Sequence, residues 1–302
     1  MDERKKAMVM ASFAADALAL GVHWIYDTKQ IAASHGRVES FVRPAPDSYH
    51  PAKGKGDFTH YADQTLVLLQ SLAAKKAFDL QDFSDRWRRL FENYKGYIDG
   101  ATRKTLAWYA KGKTAENAGS RTGDFSGASR IAPILYLYEQ DEEKAAAAAR
   151  SQTAMTHNDP HTVDTAEFFA RVIFLIFKGV KPLQAIQEIV GMESFEMSPI
   201  SMWVSDGLKS RDQESVSAIS VFGQACETNQ VFPGVIHLIA KYEDNLKEAL
   251  IQAVMAGGDS AARGSMVGMV LGAYLGMESI PEQWLAEMNK RREIEELLEK
   301  IS

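Results

Sequence analysis

Four short stretches bring together residue types that can do chemistry. FAADALALGVHWIYD sets Asp16 among Phe13, Ala14, Ala15, Ala17 and Leu18, and His23 falls on the same face if the helix extends that far. A carboxylate so placed is partly buried and needs a partner, whether backbone donors or an arginine. GDFTHYADQTLVLLQSL puts Asp63 just ahead of a strongly apolar run, where an aspartate accepts from free backbone N–H groups and is favoured by the helix dipole. GGDSAARG puts Asp259 in the same kind of position, after Gly257 and Gly258. If the two helix starts converge, both carboxylates, the Gln64 carbonyl and the hydroxyls of Thr59, Thr65 and Ser260 form an oxygen-lined hollow suited to a hard cation. Capping alone would also explain both aspartates. SQTAMTHNDPHTVDTAEFF gathers His157, Asn158, Asp159, His161 and Asp164 around a helix start. Histidines at i and i+4 on one helix suit a transition metal, but Pro160 leaves His157 outside it, so Asp159 reads first as a cap.

The elements that must position these groups are helices. Apolar residues recur at helical spacing along the chain, as in Leu66, Leu69, Leu72 and Ala73, or Phe168, Val172, Leu175 and Ile176. The pattern predicts an all-α protein with helices near 5–20, 63–77, 81–95, 99–111, 129–138, 141–154, 160–178, 182–191, 200–209, 214–225, 231–241, 244–256, 259–276 and 287–300. Ile134–Tyr138 and Val221–Cys226 have strand-like composition, but their flanks continue the helical spacing. Pro160 and Pro182 fall at helix starts and Pro233 in a first turn. Two connections, His35 to Ala62 and Gly112 to Ala128, are long and rich in Gly, Ser, Pro, His and Asp, as functional loops are. Ala261, Gly264, Gly268, Gly272 and Gly276 give the last long apolar segment a small-residue face for close helix contact. No linker or repeat divides the chain, so residues 1–302 read as one domain.

Composition excludes some classes of function. The 302 residues are 46% hydrophobic and 25% charged, with a formal net charge of −6. Lys and Arg are spread out with no basic stripe, which argues against nucleic acid as a partner. The apolar run near the N-terminus is interrupted by Asp16 and is too short to span a bilayer, so no membrane partner is expected. The single Cys226, placed in an apolar helix-like segment, excludes an intramolecular disulfide and fits a reducing, cytoplasmic setting.

Taken in order, DALALG, ADQT ahead of an apolar helix, THNDP ahead of another, and GGDSAARGSMVGMVLGAYLG resemble the ADP-ribosylglycohydrolase family over roughly Met8 to Gly276. The family's type member removes ADP-ribose from dinitrogenase reductase. The wording LGVHWIYD and GDFTHYADQTLVLL is similar to its J-type crystallin branch. RTGDFSGASRIAPI, Arg121 to Ile134, is similar to the family's glycine-rich segment beside bound ADP-ribose, which implies substrate-binding roles for Asp124, Ser126 and Gly127, together with His157 and Asp159.

The resemblance implies an all-α fold with a central cleft and, in active members, two magnesium or manganese ions. A Thr-Asp-Asp triplet and an Asp-Thr-Asp-Thr run hold those ions. Here the triplet falls on Ala62, Asp63 and Gln64, and the run on Asp259, Ser260, Ala261 and Ala262; the family's acidic residue after GDALG falls on His23. Two divalent ions against Asp63 and Asp259 would keep two uncompensated charges in a poorly hydrated cleft. The count therefore argues for one Mg2+ or Mn2+ at Asp63, Asp259 and Ser260, with Asp16, His23, Asp63 and Asp259 as the catalytic set and Asp16, His23 or His157 activating water. The function implied is hydrolysis of an N- or O-glycosidic bond to ADP-ribose or a related ribosyl metabolite, free or protein-linked. A catalytically inactive ligand-binding relative and a crystallin-like structural protein stand as alternatives.

Overall fold

The computed structural model describes residues 2–301, and within them the regular secondary structure is helical. In order, the helices are α1 (Asp2–Ala19), α2 (Thr28–His35), α3 (His60–Lys75), α4 (Leu80–Glu92), α5 (Gly100–Ala110), α6 (Ala132–Leu137), α7 (Glu142–Ala154), α8 (Pro160–Phe177), α9 (Pro182–Ile189), α10 (Ile200–Lys209), α11 (Ser215–Phe222), α12 (Thr228–Lys241), α13 (Leu246–Met255), α14 (Ser260–Leu275), α15 (Glu282–Glu287) and α16 (Arg291–Ile301). Short 3-10 turns occupy Phe125–Arg130, Glu193–Phe195 and Met277–Ser279. No strand forms among the described residues, only isolated bridges pairing Ser120 with His157 and Asp124 with Glu227. Among those residues no helix is long and apolar enough to cross a membrane.

The centre of the fold is the packing of α1 on α14. Over Ala7–Ala15 and Ala261–Ala273 the two helices are apolar nearly all round, and a stretch with no polar face has to be enclosed on every side; both stretches are buried accordingly. A Cβ built on Gly272 would lie 2.7 Å from the carbonyl oxygen of Ala7, one on Gly268 2.6 Å from that of Ala11, and one on Gly264 3.6 Å from the Ala15 methyl. Ascending positions in one helix thus meet descending positions in the other at steps of four residues. The helices run antiparallel, ridge against ridge. The C-terminal end of α1, with Asp16 and the turn to His23, is thereby brought to the N-terminal end of α14, where Asp259 stands.

Several expected boundaries move, for physical reasons. The 28–35 segment, outside the expected helices, is helix α2, capped by Asp27, whose Oδ1 accepts from Lys29 N at 2.9 Å. The helix expected over 129–138 is a 3-10 turn followed by α6, with Pro133 in the first turn of the α-helical part. The one expected over 287–300 starts only at Arg291, after the separate helix α15: at Asn289 the backbone N–H donates to Gly56 O (3.0 Å) and the side chain to Lys55 O (2.9 Å), which ties the gap to the loop before α3. Helix α12 begins at Thr228, so Pro233 lies inside it instead of in its first turn. Cys226 is not helical. α11 stops at Phe222, and Gly223 follows with φ of 108°, a conformation open to glycine.

Candidate functional site

Backbone bonds join three segments at the mouth of α14. Gly257 and Gly258 hold φ of 68° and 62°, and a Cβ on Gly258 would fall 2.1 Å from Gln224 O. This left-handed turn lets Gly258 N donate to Ile25 O (2.9 Å), Trp24 N to Gly258 O (2.9 Å) and Asp259 N to Gln224 O (2.8 Å). A second clamp brings in the 3-10 turn: Phe125 N donates to Cys226 O (2.8 Å) and Thr228 N to Gly123 O (2.7 Å).

Asp259 is fully buried and caps α14, its Oδ1 accepting from Ala262 N at 3.2 Å and its Oδ2 from the Tyr61 hydroxyl at 3.0 Å. His23 Nδ1 lies 3.9 Å from Asp259 Oδ1. Asp124 caps the 3-10 turn through Ser126 N (2.9 Å). Asp124, Cys226 and Asp259 each offer one ligand atom, all within 4.8 Å of one another. Asp63 is not a member of that group. Burial pushes the Asp124 and Asp259 carboxyls well above the usual carboxylate range, and Asp259 raises Asp124 further. Burial, then the two carboxylates, push the Cys226 thiol up.

Asp63 lies in the first turn of α3 and does not cap it. Thr59 is the N-cap, its hydroxyl oxygen accepting from Tyr61 N at 3.1 Å, because the helix starts three residues earlier than its apolar run. The Asp63 carboxylate pairs with the Lys53 ammonium and accepts from the Tyr94 hydroxyl. Burial raises its pKa while Lys53 and Tyr94 pull it down. Asp16 is enclosed and accepts from Thr59 N (2.7 Å) and Oγ1 (2.6 Å); desolvation outweighs both bonds and pushes its pKa up to about 7. Gln64, at a position where the family has a ligating aspartate, is committed to the protein. Its Oε1 accepts from Trp87 Nε1 and Arg130 Nη1, each at 2.7 Å, and its Nε2 donates to His60 O at 2.9 Å.

A cluster of buried imidazoles fills the space between. His23, His50 and His60 lie with ring centroids 5.5–6.3 Å apart, and no ring nitrogen of the three has a hydrogen-bond partner. Desolvation holds all three well below the usual histidine pKa, so they are neutral near pH 7. Trp24, at φ 66°, stacks on His23 at 4.5 Å and meets Tyr49 and Tyr97 edge-on at 4.9 Å each. A side chain held in that backbone region is strained unless its surroundings enforce it; here the bond to Gly258 and the ring contacts do.

His157 stands with Nδ1 2.8 Å from Thr156 Oγ1 and Nε2 3.4 Å from Ser126 Oγ. Gly127 packs flat against its ring, where a Cβ would lie 2.6 Å from Cγ. Asp159 caps α8, accepting from His161 N and Thr162 N at 3.1 Å each. His161 points to solvent beside Trp203, so the two histidines share no helix and no ligand. Ser260 Oγ is buried and has no partner. Sequence reasoning passed over Lys53, His50, His60, Tyr61, Tyr94 and Arg130. His60 and Tyr61 stood inside the stretch that carried Asp63, and Arg130 inside RTGDFSGASRIAPI, a signal available from type alone; His50 and Lys53 come from the long loop before α3, and Tyr94 reaches Asp63 across 31 residues.

The donors at the family's metal positions do not fit two hard ions, since Ala62, Ala261 and Ala262 offer no side-chain oxygen and Gln64 is taken by Trp87 and Arg130. They fit one ion at Asp259, where Ser260 Oγ and His23 Nδ1 are buried without partners.

Comparison with known proteins agrees with this architecture. The family model described as ADP-ribosylglycohydrolase matches residues 1–302. Crystallin J1A of Tripedalia cystophora is 24% identical, with 99% of this chain and 96% of that protein aligned. ADP-ribosylhydrolase ARH3 of Mus musculus is 26% identical over 87% of this chain and 81% of its own length. A solved structure titled ADP-ribosylglycohydrolase-related protein complex shares the fold, with a TM-score of 0.77 at 22% identity and coverage of 99% and 97%. From the whole-length match and the shared fold it follows that this chain belongs to the ADP-ribosylglycohydrolase family.

Proposed function

We propose that the chain is a hydrolase of the glycosidic bond to ADP-ribose or a related ribosyl metabolite, acting in the cytoplasm. Its relatives include proteins named for this chemistry, among them ADP-ribosyl-[dinitrogen reductase] glycohydrolase of Rhodospirillum rubrum. One observation carries the reading to this chain. The buried centre holds the carboxyls of Asp16, Asp124 and Asp259 and the imidazoles of His23, His50, His60 and His157, a concentration of desolvated polar groups that costs stability and that helix packing does not require.

Unlike Asp16, Asp124 and Asp259, which are buried, Asp63 keeps appreciable surface, its side chain 18% exposed beside Lys53. It therefore takes the proton of the attacking water and returns it to the leaving atom as the hydroxyl adds to the ribosyl carbon and the glycosidic bond breaks. Burial raises its pKa, the direction that eases return of the proton to the leaving atom. Lys53 orients the carboxylate, and His157, held against Gly127 and Thr156, hydrogen-bonds the ribosyl group along with Asp124, Ser126 and Asp159. A single divalent ion at Asp259 and Ser260, magnesium or manganese by family precedent, would polarise the ribosyl oxygens when bound.

The commitment of Gln64 and the alanines at metal positions favour a second reading, an inactive relative that still binds ADP-ribose. Calorimetry with ADP-ribose, run beside chromatographic assay of ADP-ribose release from arginine-linked and hydroxyl-linked substrates, separates the two. Release supports the hydrolase; binding without release supports the inactive relative; neither leaves the structural role suggested by the crystallin likeness.

A further inference from the structure

We infer that the cavity beside His23 is a binding site for a compact organic cation of the alkylammonium class. The inference goes beyond the hydrolase reading and does not depend on it. Two short runs supply the wall: HWIYD after α1, and the part of the loop before α3 that carries Asp47 and Tyr49. The cavity measures about 550 Å³, within the range of small-molecule sites, and Trp24, Tyr26 and Tyr49 are its aromatic residues. Tyr26 and Tyr49 are 49% and 52% exposed, so ring surface is left for a ligand. The independent observation is His23. It lines the same cavity, is only 3% exposed, and neither of its ring nitrogens has a hydrogen-bond partner. A buried polar group in that state costs stability until a ligand satisfies it.

Charge and shape select the ligand. Asp27 and Asp47 stand on the wall, and among the described residues no lysine or arginine does. Aromatic faces attract a cation through their ring quadrupole, and two carboxylates add to the same field. Trp24 and Tyr49 stand at 87° with centroids 4.9 Å apart, the walls of a corner and not of a slot. A corner suits a rounded ammonium head, whereas a flat ring needs parallel faces. With His23 Nδ1 toward Asp259 Oδ1 at 3.9 Å, Nε2 is left to accept a hydrogen bond from an N–H or hydroxyl that the cation carries. Asp124, Ser126, His157 and Asp159, proposed above to hold the ribosyl group, do not line the cavity. It is a separate subsite, joined to theirs through His23.

The test is calorimetric titration of the full chain with choline and with its carbon isostere dimethylbutanol, which keeps the shape and the hydroxyl and lacks the charge. Choline should bind with a Kd on the order of 1 mM or tighter, and the uncharged alcohol at least about tenfold more weakly. Tyr49→Ala and Asp47→Asn, both at exposed positions, should each weaken choline by about fivefold, while Tyr49→Phe, which keeps the ring, should bind as wild type does. Absence of choline binding, equal binding of the uncharged alcohol, or choline affinity unmoved in either of the first two variants overturns the site. Initial rates of ADP-ribose release then tell the source of the cation: choline that raises KM alone takes the place of a cationic group carried by the substrate, and choline that leaves KM unchanged marks a free cation. ADP-ribose release without choline binding removes this site and keeps the hydrolase; choline binding without release does the reverse.

Discussion

Replacing Gly268 with alanine would put a methyl group 2.6 Å from the carbonyl oxygen of Ala11 and 3.0 Å from its carbonyl carbon. Ordinary contact begins near 3.4 Å, so α1 and α14 would have to part by about 0.8 Å (3.4 − 2.6). Both helices are enclosed on all sides, and overpacking of such a site costs about 1–3 kcal/mol. Alanine recovers roughly 0.5–1 kcal/mol of helix propensity, leaving Gly268→Ala destabilised by about 1–2 kcal/mol. One turn away, Gly264→Ala meets the Ala15 methyl at 3.6 Å, ordinary contact, and keeps the propensity gain. Because the propensity gain is common to both, the two variants should differ by the overpacking cost of about 1–3 kcal/mol, or about 2–6 °C in Tm at ~2 °C per kcal/mol for a chain of this size. Scanning calorimetry with urea denaturation reads both. If Gly268→Ala melts with Gly264→Ala or above it, the close antiparallel approach that sets Asp259 against the end of α1 is wrong.

Asp16→Asn tests the buried carboxyl. Its folded pKa of about 7 stands above its ordinary value of 3.8, so stability from this group is full below pH 4 and is lost as pH rises toward 7, amounting to about 4 kcal/mol. The asparagine variant should be more stable than wild type at pH 8 and lose that slope; parallel curves in urea titrations across pH would exclude it. Lys53→Met removes the charge that lowers Asp63, so the alkaline-going limb of the kcat/KM profile should move to higher pH; an unmoved limb would detach Asp63 from the proton step. Gly127→Ala would drive a methyl into the His157 ring and should weaken ADP-ribose binding by about tenfold in calorimetry, with unchanged affinity counting against a ligand role for that wall.

What was legible in the sequence is local. The 3.6-residue spacing predicted nearly every long helix, Asp159–Pro160 and Gly257–Asp259 marked their helix starts, and the stripe through Gly264, Gly268 and Gly272 announced close packing. Caps already blur at this level: Thr59 took the role read for Asp63 because a hydroxyl that also serves Asp16 starts the helix earlier. Helix α2 has few buried side chains, only Ile31, so its apolar pattern was too thin to see. The partners of Asp259 were out of reach for another reason. Tyr61, Asp124 and Cys226 meet it through turns whose backbone bonds cross large sequence separations, and no periodicity encodes those. Lys53 likewise comes from the long loop before α3, where composition marks function without giving direction.

The most direct test of the account is free ADP-ribose released from arginine-linked and hydroxyl-linked substrates by the wild-type chain and by Asp63→Asn, followed by mass spectrometry at pH 7.5. Wild type should turn over at least one of the two linkages, and the variant should lose about 100-fold or more in kcat while still binding ADP-ribose. Equal release by wild type and variant would contradict the role of Asp63, and no release by wild type from either linkage would contradict the hydrolase itself.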